Sequence, residues 1–211
     1  MTDAVVQNSS GGRGFIVGLR SRFVITASHC LPRLPAADPG AYLVERTFQN
    51  LLGPLGGTCD VWAECVCVDP VADLAVFAAP NAQAFPAEAG NYGALVAQRT
   101  PLRVADLPME RKPTTQPGAD SGEAMLDPAE WKGPGRLLAL DGQWFDCRLR
   151  ATGRSLWIEE KAQAFAGGMS GSPIVDLDGA AVGVLCSSGA NPLLVRQLPG
   201  WLLAEIVPIL G

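Results

Sequence analysis

A chain of 211 residues, 48% of them hydrophobic, can bury a sizeable core, and its 24 glycines and 17 prolines suit many short strands joined by turns. The net charge is −5, without a run of like charges or a basic patch, which argues against a nucleic-acid partner and fits simple solubility. No uncharged apolar run approaches a membrane span, and Met1 to Asn8 lack the basic and apolar segments of a signal peptide, so a cytoplasmic chain is expected unless a leader has been removed.

In chain order, residues 1–11 read as polar and loose. Gly14 to Leu19 and Phe23 to Ala27 read as paired strands around Arg20-Ser21-Arg22. Residues 31–40, with Pro32, Pro35 and Pro39, form a loop, Val61 to Val68 a longer strand, and Asp73 to Ala79 another. Residues 80–100 carry Pro80, Pro86, Gly90 and Gly93 and read as a linker, after which Pro101 to Val104 resumes strand character. The polar, Pro- and Gly-rich stretch 107–134 is too long for a tight connection and is expected to be an exposed loop, inert rather than substrate-binding. Two Asp-Gly pairs, Asp141-Gly142 and Asp178-Gly179, lie between apolar runs and predict hairpins with type I′ turns. Leu198, Trp201, Leu202, Ile206 and Ile209 recur at helical spacing, so a short helix packed on the core is expected over 198–210.

Six cysteines stand at 30, 59, 65, 67, 147 and 186. In an alternating strand Cys65 and Cys67 would share a face and could not readily pair with each other. A zinc site from Cys59, Cys65 and Cys67 has poor spacing. Buried thiols are the expectation, with no metal and no cofactor.

The chemistry gathers at Ala166-Gly167-Gly168-Met169-Ser170-Gly171-Ser172-Pro173. Gly168 can adopt backbone angles closed to other residues, so successive N–H groups can converge beside the Ser170 hydroxyl. That pairing of nucleophile and backbone donors suits acyl transfer, although a tight turn capped by its serine has the same local sequence. The chain has one histidine, His29, in Val24-Ile25-Thr26-Ala27-Ser28-His29-Cys30, and an aspartate, Asp73, opening the strand Leu74-Ala75-Val76-Phe77. Histidine is the side chain best suited to general-base work near neutral pH. The α/β-hydrolase alternative fails, because it needs Gly-x-Ser-x-Gly and the order Ser, Asp, His.

With His29, Asp73 and Ser170 in that order, spaced 44 and then 97 residues apart, the sequence resembles the chymotrypsin-like serine peptidases, particularly bacterial members without the animal enzymes' activation machinery. The resemblance covers residues 12–207. It implies an all-β fold of two six-stranded antiparallel Greek-key barrels with a short C-terminal helix, in one peptidase domain over 1–211. The first barrel is expected at 12–85 and the second at 100–197.

The resemblance assigns roles by position. Ser170 would be the nucleophile, His29 the base, and Asp73 the group that orients His29. Asp69, four residues earlier and before Pro70, reads as a turn residue instead. The N–H groups of Gly168 and Ser170 would form the oxyanion hole. Leu185 to Gly189 would be the strand that pairs with substrate backbone. A substrate pocket is expected from Ala164, Cys186, Ser187 and Ser188, small and uncharged. Ala164 stands where basic specificity would need an aspartate, and no second histidine is present for glutamate specificity. The animal peptidases bond the cysteine after the histidine to one on the preceding strand, and Gly14 to Arg20 holds none. Met169 lacks the carboxylate with which a freshly cut N-terminal amine pairs in zymogen-forming relatives, so maturation without N-terminal cleavage is expected. The implied function is a serine endopeptidase acting on a peptide or protein substrate, with room for an activating or presenting partner protein. A catalytically silent peptide-binding or scaffold module is the alternative.

Overall fold

The computed structural model describes residues 1–18, 21–35, 43–109, 129–153, 155–186 and 194–198. Six antiparallel strands close the first barrel: β1 (Val5–Asn8), β2 (Arg13–Val17), β3 (Phe23–Thr26), β4 (Thr47–Pro54), β5 (Val61–Asp69) and β6 (Leu74–Ala78). Around it the order is β1-β2-β3-β6-β5-β4, with β4 returning to β1. Six more close the second: β7 (Glu130–Leu138), β8 (Trp144–Thr152), β9 (Ser155–Lys161), β10 (Pro173–Val175), β11 (Ala181–Val184) and β12 (Leu194–Gln197). Their order, β10-β11-β12-β9-β8-β7, repeats the plan of the first barrel. The expected pair of six-stranded antiparallel barrels is therefore present.

Alternation of side chains across each strand creates three apolar clusters. Val6, Ile16, Val24, Leu52 and Phe77 fill the first barrel, and Leu137, Leu149, Leu156, Ile158 and Ile174 fill the second. The opposite faces of β2 and β3 turn Phe15, Val17 and Ile25 toward Leu138, Val175, Ala181 and Val184 of the other barrel. This third cluster fuses the two barrels at the seam where the site lies. Each large apolar side chain buried there stabilises the fold by about 1.5–3 kcal/mol.

Several expectations change. The N-terminal residues are not loose: Thr2–Ala4 forms a 3-10 turn, and β1 is pinned between β2 and β4 with Val5 and Val6 buried. The first barrel thus opens at Val5, ahead of residue 12. β4 had no clear sequence signal, because Asn50 takes φ 51 and the register slips between Phe48 and Leu52, breaking the period of two. A single helical turn, α1 (Leu43–Arg46), leads into it. Within the presumed linker, Pro86–Ala97 forms helix α2, which starts on its proline and packs Tyr92, Leu95 and Val96 against the first barrel's core. Gly90 and Gly93 hid that helix from the sequence pattern. Residues Leu102 and Val104 make only isolated bridges, to Val17 and Ala181, stitching the connection to both barrels.

The stretch 107–134 is not loop throughout, since β7 begins at Glu130 and pairs along its length with β8; residues 110–128 lie outside the described residues. Both Asp-Gly hairpins form, but only the glycines have positive φ, 83° at Gly142 and 78° at Gly179. Gly142 N–H bonds to Ala139 O and Gly179 N–H to Asp176 O, so each turn is a tight reversal followed by a left-handed glycine rather than type I′. A bulge between Cys65 and Cys67 resets the alternation, so the two do not share a face: Cys65 joins the first barrel's core and Cys67 packs on the inter-barrel cluster. All six cysteines are thiols. Leu198 is buried, and the rest of the expected C-terminal helix lies outside the described residues. Among the described residues no helix is long and apolar enough to cross a membrane.

Candidate active site

β3 ends at Thr26, and the chain enters a 3-10 turn, Ser28–Cys30. Ser28 and Cys30 are buried, which leaves His29 between them on the surface. Asp73 lies at the foot of β6 with φ 52, in the left-handed region that Asp and Asn tolerate better than other non-glycine residues. The turn before it is fixed by Asp69, whose Oδ1 accepts the N–H groups of Val71 and Ala72 at 3.0 and 2.9 Å. Asp69 is thereby a turn residue, and Asp73 meets the histidine.

His29 Nδ1 lies 2.7 Å from Asp73 Oδ2. The His29 N–H and the Ser28 hydroxyl both donate to Asp73 Oδ1, at 2.9 and 2.8 Å. The Ser28 N–H donates to the Asp73 carbonyl at 3.2 Å. The carboxylate is thus held from three directions and mostly covered, with 22% of its side chain exposed against 40% for His29. His29 Nε2 lies 3.6 Å from Cys30 Sγ. Burial pushes the Cys30 thiol up to about 11, so it is neutral at physiological pH.

Ser170 sits in a compact turn between β9 and β10. Met169 and Ser172 N–H groups bond within the turn, to Ala166 O and Met169 O, while Gly171 N–H bonds to Leu185 O. Gly168 and Gly171 take φ 91 and 81. A Cβ on Gly171 would stand 1.9 Å from Arg13 O and 2.5 Å from Thr26 Oγ1, so only glycine fits where the turn crosses β2 and β3. The Arg13 N–H donates to Ser170 O at 2.7 Å. Gly12, one residue earlier, leaves no room for a side chain beside Cys30 Sγ. Ser170 is thereby tied to the start of β2, and Gly171 after it lies against Thr26, three residues before His29. Among the described residues the Ser170 hydroxyl has no hydrogen-bond partner, and the N–H groups of Gly168 and Ser170 meet no protein acceptor.

Of the residues expected in the substrate pocket, Ala164 is exposed and Cys186 is buried in the inter-barrel cluster, its S–H directed at Asp73 O (3.5 Å) and Val184 O (3.6 Å). Its apolar neighbours and small size draw it into the core. Ser187 and Ser188 lie outside the described residues. A cavity of about 410 Å³ opens beside the Gly168–Ser170 turn, walled by Gly11, Gly12, Arg13, Leu140, Asp141 and Gly168. A larger one, about 620 Å³, lies on the outer face of β7, β8 and β9 and touches none of His29, Asp73 or Ser170. Sequence reasoning missed Ser28, although it adjoins His29, and Arg13, a lone cation in the strand Gly12-Arg13-Gly14-Phe15-Ile16-Val17.

Two six-stranded barrels with a histidine–aspartate pair and a glycine-flanked serine at their seam form a two-barrel peptidase scaffold. The trypsin-like peptidase domain family matches residues 12–184, and the chain belongs to that family. No curated protein matches the chain. Among solved structures, the chain is similar to the Rv3671c protease in its inactive form, with TM-score 0.50 and 18% identity over 100% of this chain and 90% of the other. It is similar to the serine protease of a human pathogenic astrovirus, with TM-score 0.50 and 14% identity over 94% and 91%. The MamO protease domain from Magnetospirillum magneticum, in its apo form, gives TM-score 0.48 and 15% identity over 97% and 95%. The likenesses to the Rv3671c and astrovirus proteases concern the fold alone.

Proposed function

We propose that the protein is a serine endopeptidase that cleaves protein substrates through an acyl-enzyme. The observation that carries this reading is the His29–Asp73 pair, in which one carboxylate accepts from the ring nitrogen and backbone of the same histidine. With its proton shared toward Asp73, Nδ1 leaves Nε2 as the basic nitrogen. Ser170 Oγ attacks the scissile carbonyl carbon while its proton passes to His29. The carbonyl oxygen takes the negative charge, and the N–H groups of Gly168 and Ser170 donate to it. Collapse expels the amine, which receives the proton from His29 and leaves Ser170 acylated. Water, deprotonated by His29, then releases the acid and restores the hydroxyl.

One observation favours a second reading, a silent peptide-binding module: the Ser170 hydroxyl has no hydrogen bond to His29 among the described residues. Hydrogen bonds of this kind tighten when substrate binds, which keeps the enzyme reading ahead. A partner protein that presents substrate or closes this gap is part of the proposal. Reaction with a fluorophosphonate separates the two readings, because only an activated serine is phosphonylated.

A further inference from the structure

Arg13 is a cation with 4% of its surface exposed, set at the start of β2 in the seam between the barrels. Its Nη1 donates to Leu138 O at 2.9 Å and Ala139 O at 3.0 Å, and its Nη2 donates to Ala139 O at 3.0 Å. A first-barrel side chain thus grips two successive carbonyls where β7 leaves the second barrel. Burial lowers the Arg13 pKa and the nearby Asp141 carboxylate opposes that shift. A buried guanidinium is costly unless its donors are occupied, and here the inter-barrel apolar cluster would accept a hydrocarbon in its place. The charge is explained by geometry: a planar fork can hold two backbone segments in fixed relation, which an apolar side chain cannot.

Those segments enclose the nucleophile turn. The Gly168 Cβ position is 3.2 Å from Gly11 O and 3.5 Å from Leu140 Cδ2, so Gly168 lies in a slot between the run into β2 and the β7–β8 turn. Arg13 itself ties the two walls together, and its own N–H holds Ser170 O. Thr26 Oγ1 donates to the Arg13 carbonyl at 2.5 Å, linking the same point to the strand that leads to His29. Met169 is buried in the second barrel's core and has no charge with which to anchor the turn from its other side.

We infer that Arg13 is a positioning residue that orders the Gly168–Ser170 turn by clamping the Leu138-Ala139 segment against the start of β2. Its catalytic consequence rests on the endopeptidase reading; its structural consequence does not. Arg13→Ala and Arg13→Lys are compared with the wild-type chain in two measurements. Hydrogen–deuterium exchange should be faster over 165–172 and 138–143 in both variants, with β5 unchanged. The fluorophosphonate rate at saturating probe should fall about 100-fold in Arg13→Ala, the scale of an ångström-sized misplacement, with apparent probe affinity nearly unchanged. Methylguanidinium should restore both measurements in Arg13→Ala, and Arg13→Lys should fall between the two. If Arg13→Ala does not fold, Arg13→Lys alone decides, because an ammonium cannot reproduce the fork. Wild-type exchange over 165–172 in a folded variant overturns the inference, as does an unchanged rate. If the wild-type chain does not react with the probe, the endopeptidase reading fails while the exchange measurement still decides the role of Arg13.

Discussion

Replacing Asp73 with Asn tests the proposed role of the carboxylate with little disturbance to its surroundings. The position has φ 52, and asparagine shares with aspartate the tolerance for that region, whereas alanine would add about 1–2 kcal/mol of backbone strain. An asparagine oxygen in place of Oδ1 keeps the donors from the Ser28 hydroxyl and the His29 N–H. The amide nitrogen then replaces Oδ2, 2.7 Å from His29 Nδ1, and presents a donor where an acceptor stood. His29 Nδ1 must accept, so the ring proton moves to Nε2, the nitrogen that has to take the proton of Ser170. The expected loss is about 10⁴-fold in rate, the scale for such a tautomer error, or about 5 kcal/mol of barrier. The assay is the second-order rate constant for fluorophosphonate inactivation, with the melting temperature as the control for folding. A folded Asp73→Asn chain reacting within about tenfold of wild type would refute the orienting role.

Two further perturbations follow from the packing. Gly171→Ala places a Cβ 1.9 Å from Arg13 O at φ 81, so the variant should lose roughly 3 kcal/mol or more and melt well below wild type; an unchanged melting temperature would contradict the tight crossing of turn and β2. Burial raises the Cys30 and Cys65 thiols from 9.0 to about 11 and Cys147 to about 12, so above the ordinary thiol range the unfolded chain loses protons that the folded chain keeps. That contribution is whole below about pH 9 and is lost as pH rises toward the folded values, so denaturant midpoints should fall between about pH 8 and pH 10.5; a flat or rising midpoint would contradict the burial of these thiols.

Much of the fold was legible where a signal is local. The apolar runs of β2, β3, β5 and β6 and the two Asp-Gly reversals declare themselves within a few residues. β1 does not, since Val5 and Val6 become a strand only by meeting β2 and the Leu52–Pro54 end of β4. β4 was obscured by the left-handed Asn50, and α2 by its two glycines. The candidate site divides in the same way. His29, Asp73 and the Gly168–Ser170 turn stand out by residue type and order. The inward placement of Cys186 and the grip of Arg13 on Leu138 and Ala139 depend on how the barrels meet. That contact spans more than half the chain, and no short pattern encodes it. Ser28 lay beside His29, but its hydroxyl acquires meaning only once Asp73 is brought under it.

The central claim is that Ser170 is a nucleophile activated by His29 and Asp73. Intact mass spectrometry of the chain after exposure to a fluorophosphonate, with the site located by fragmentation, tests it most directly. The account predicts a single phosphonyl adduct on Ser170 in the wild-type chain and none in Ser170→Ala. Absence of an adduct on the wild-type chain, with and without a candidate partner protein, or equal labelling of Ser170→Ala, would contradict it.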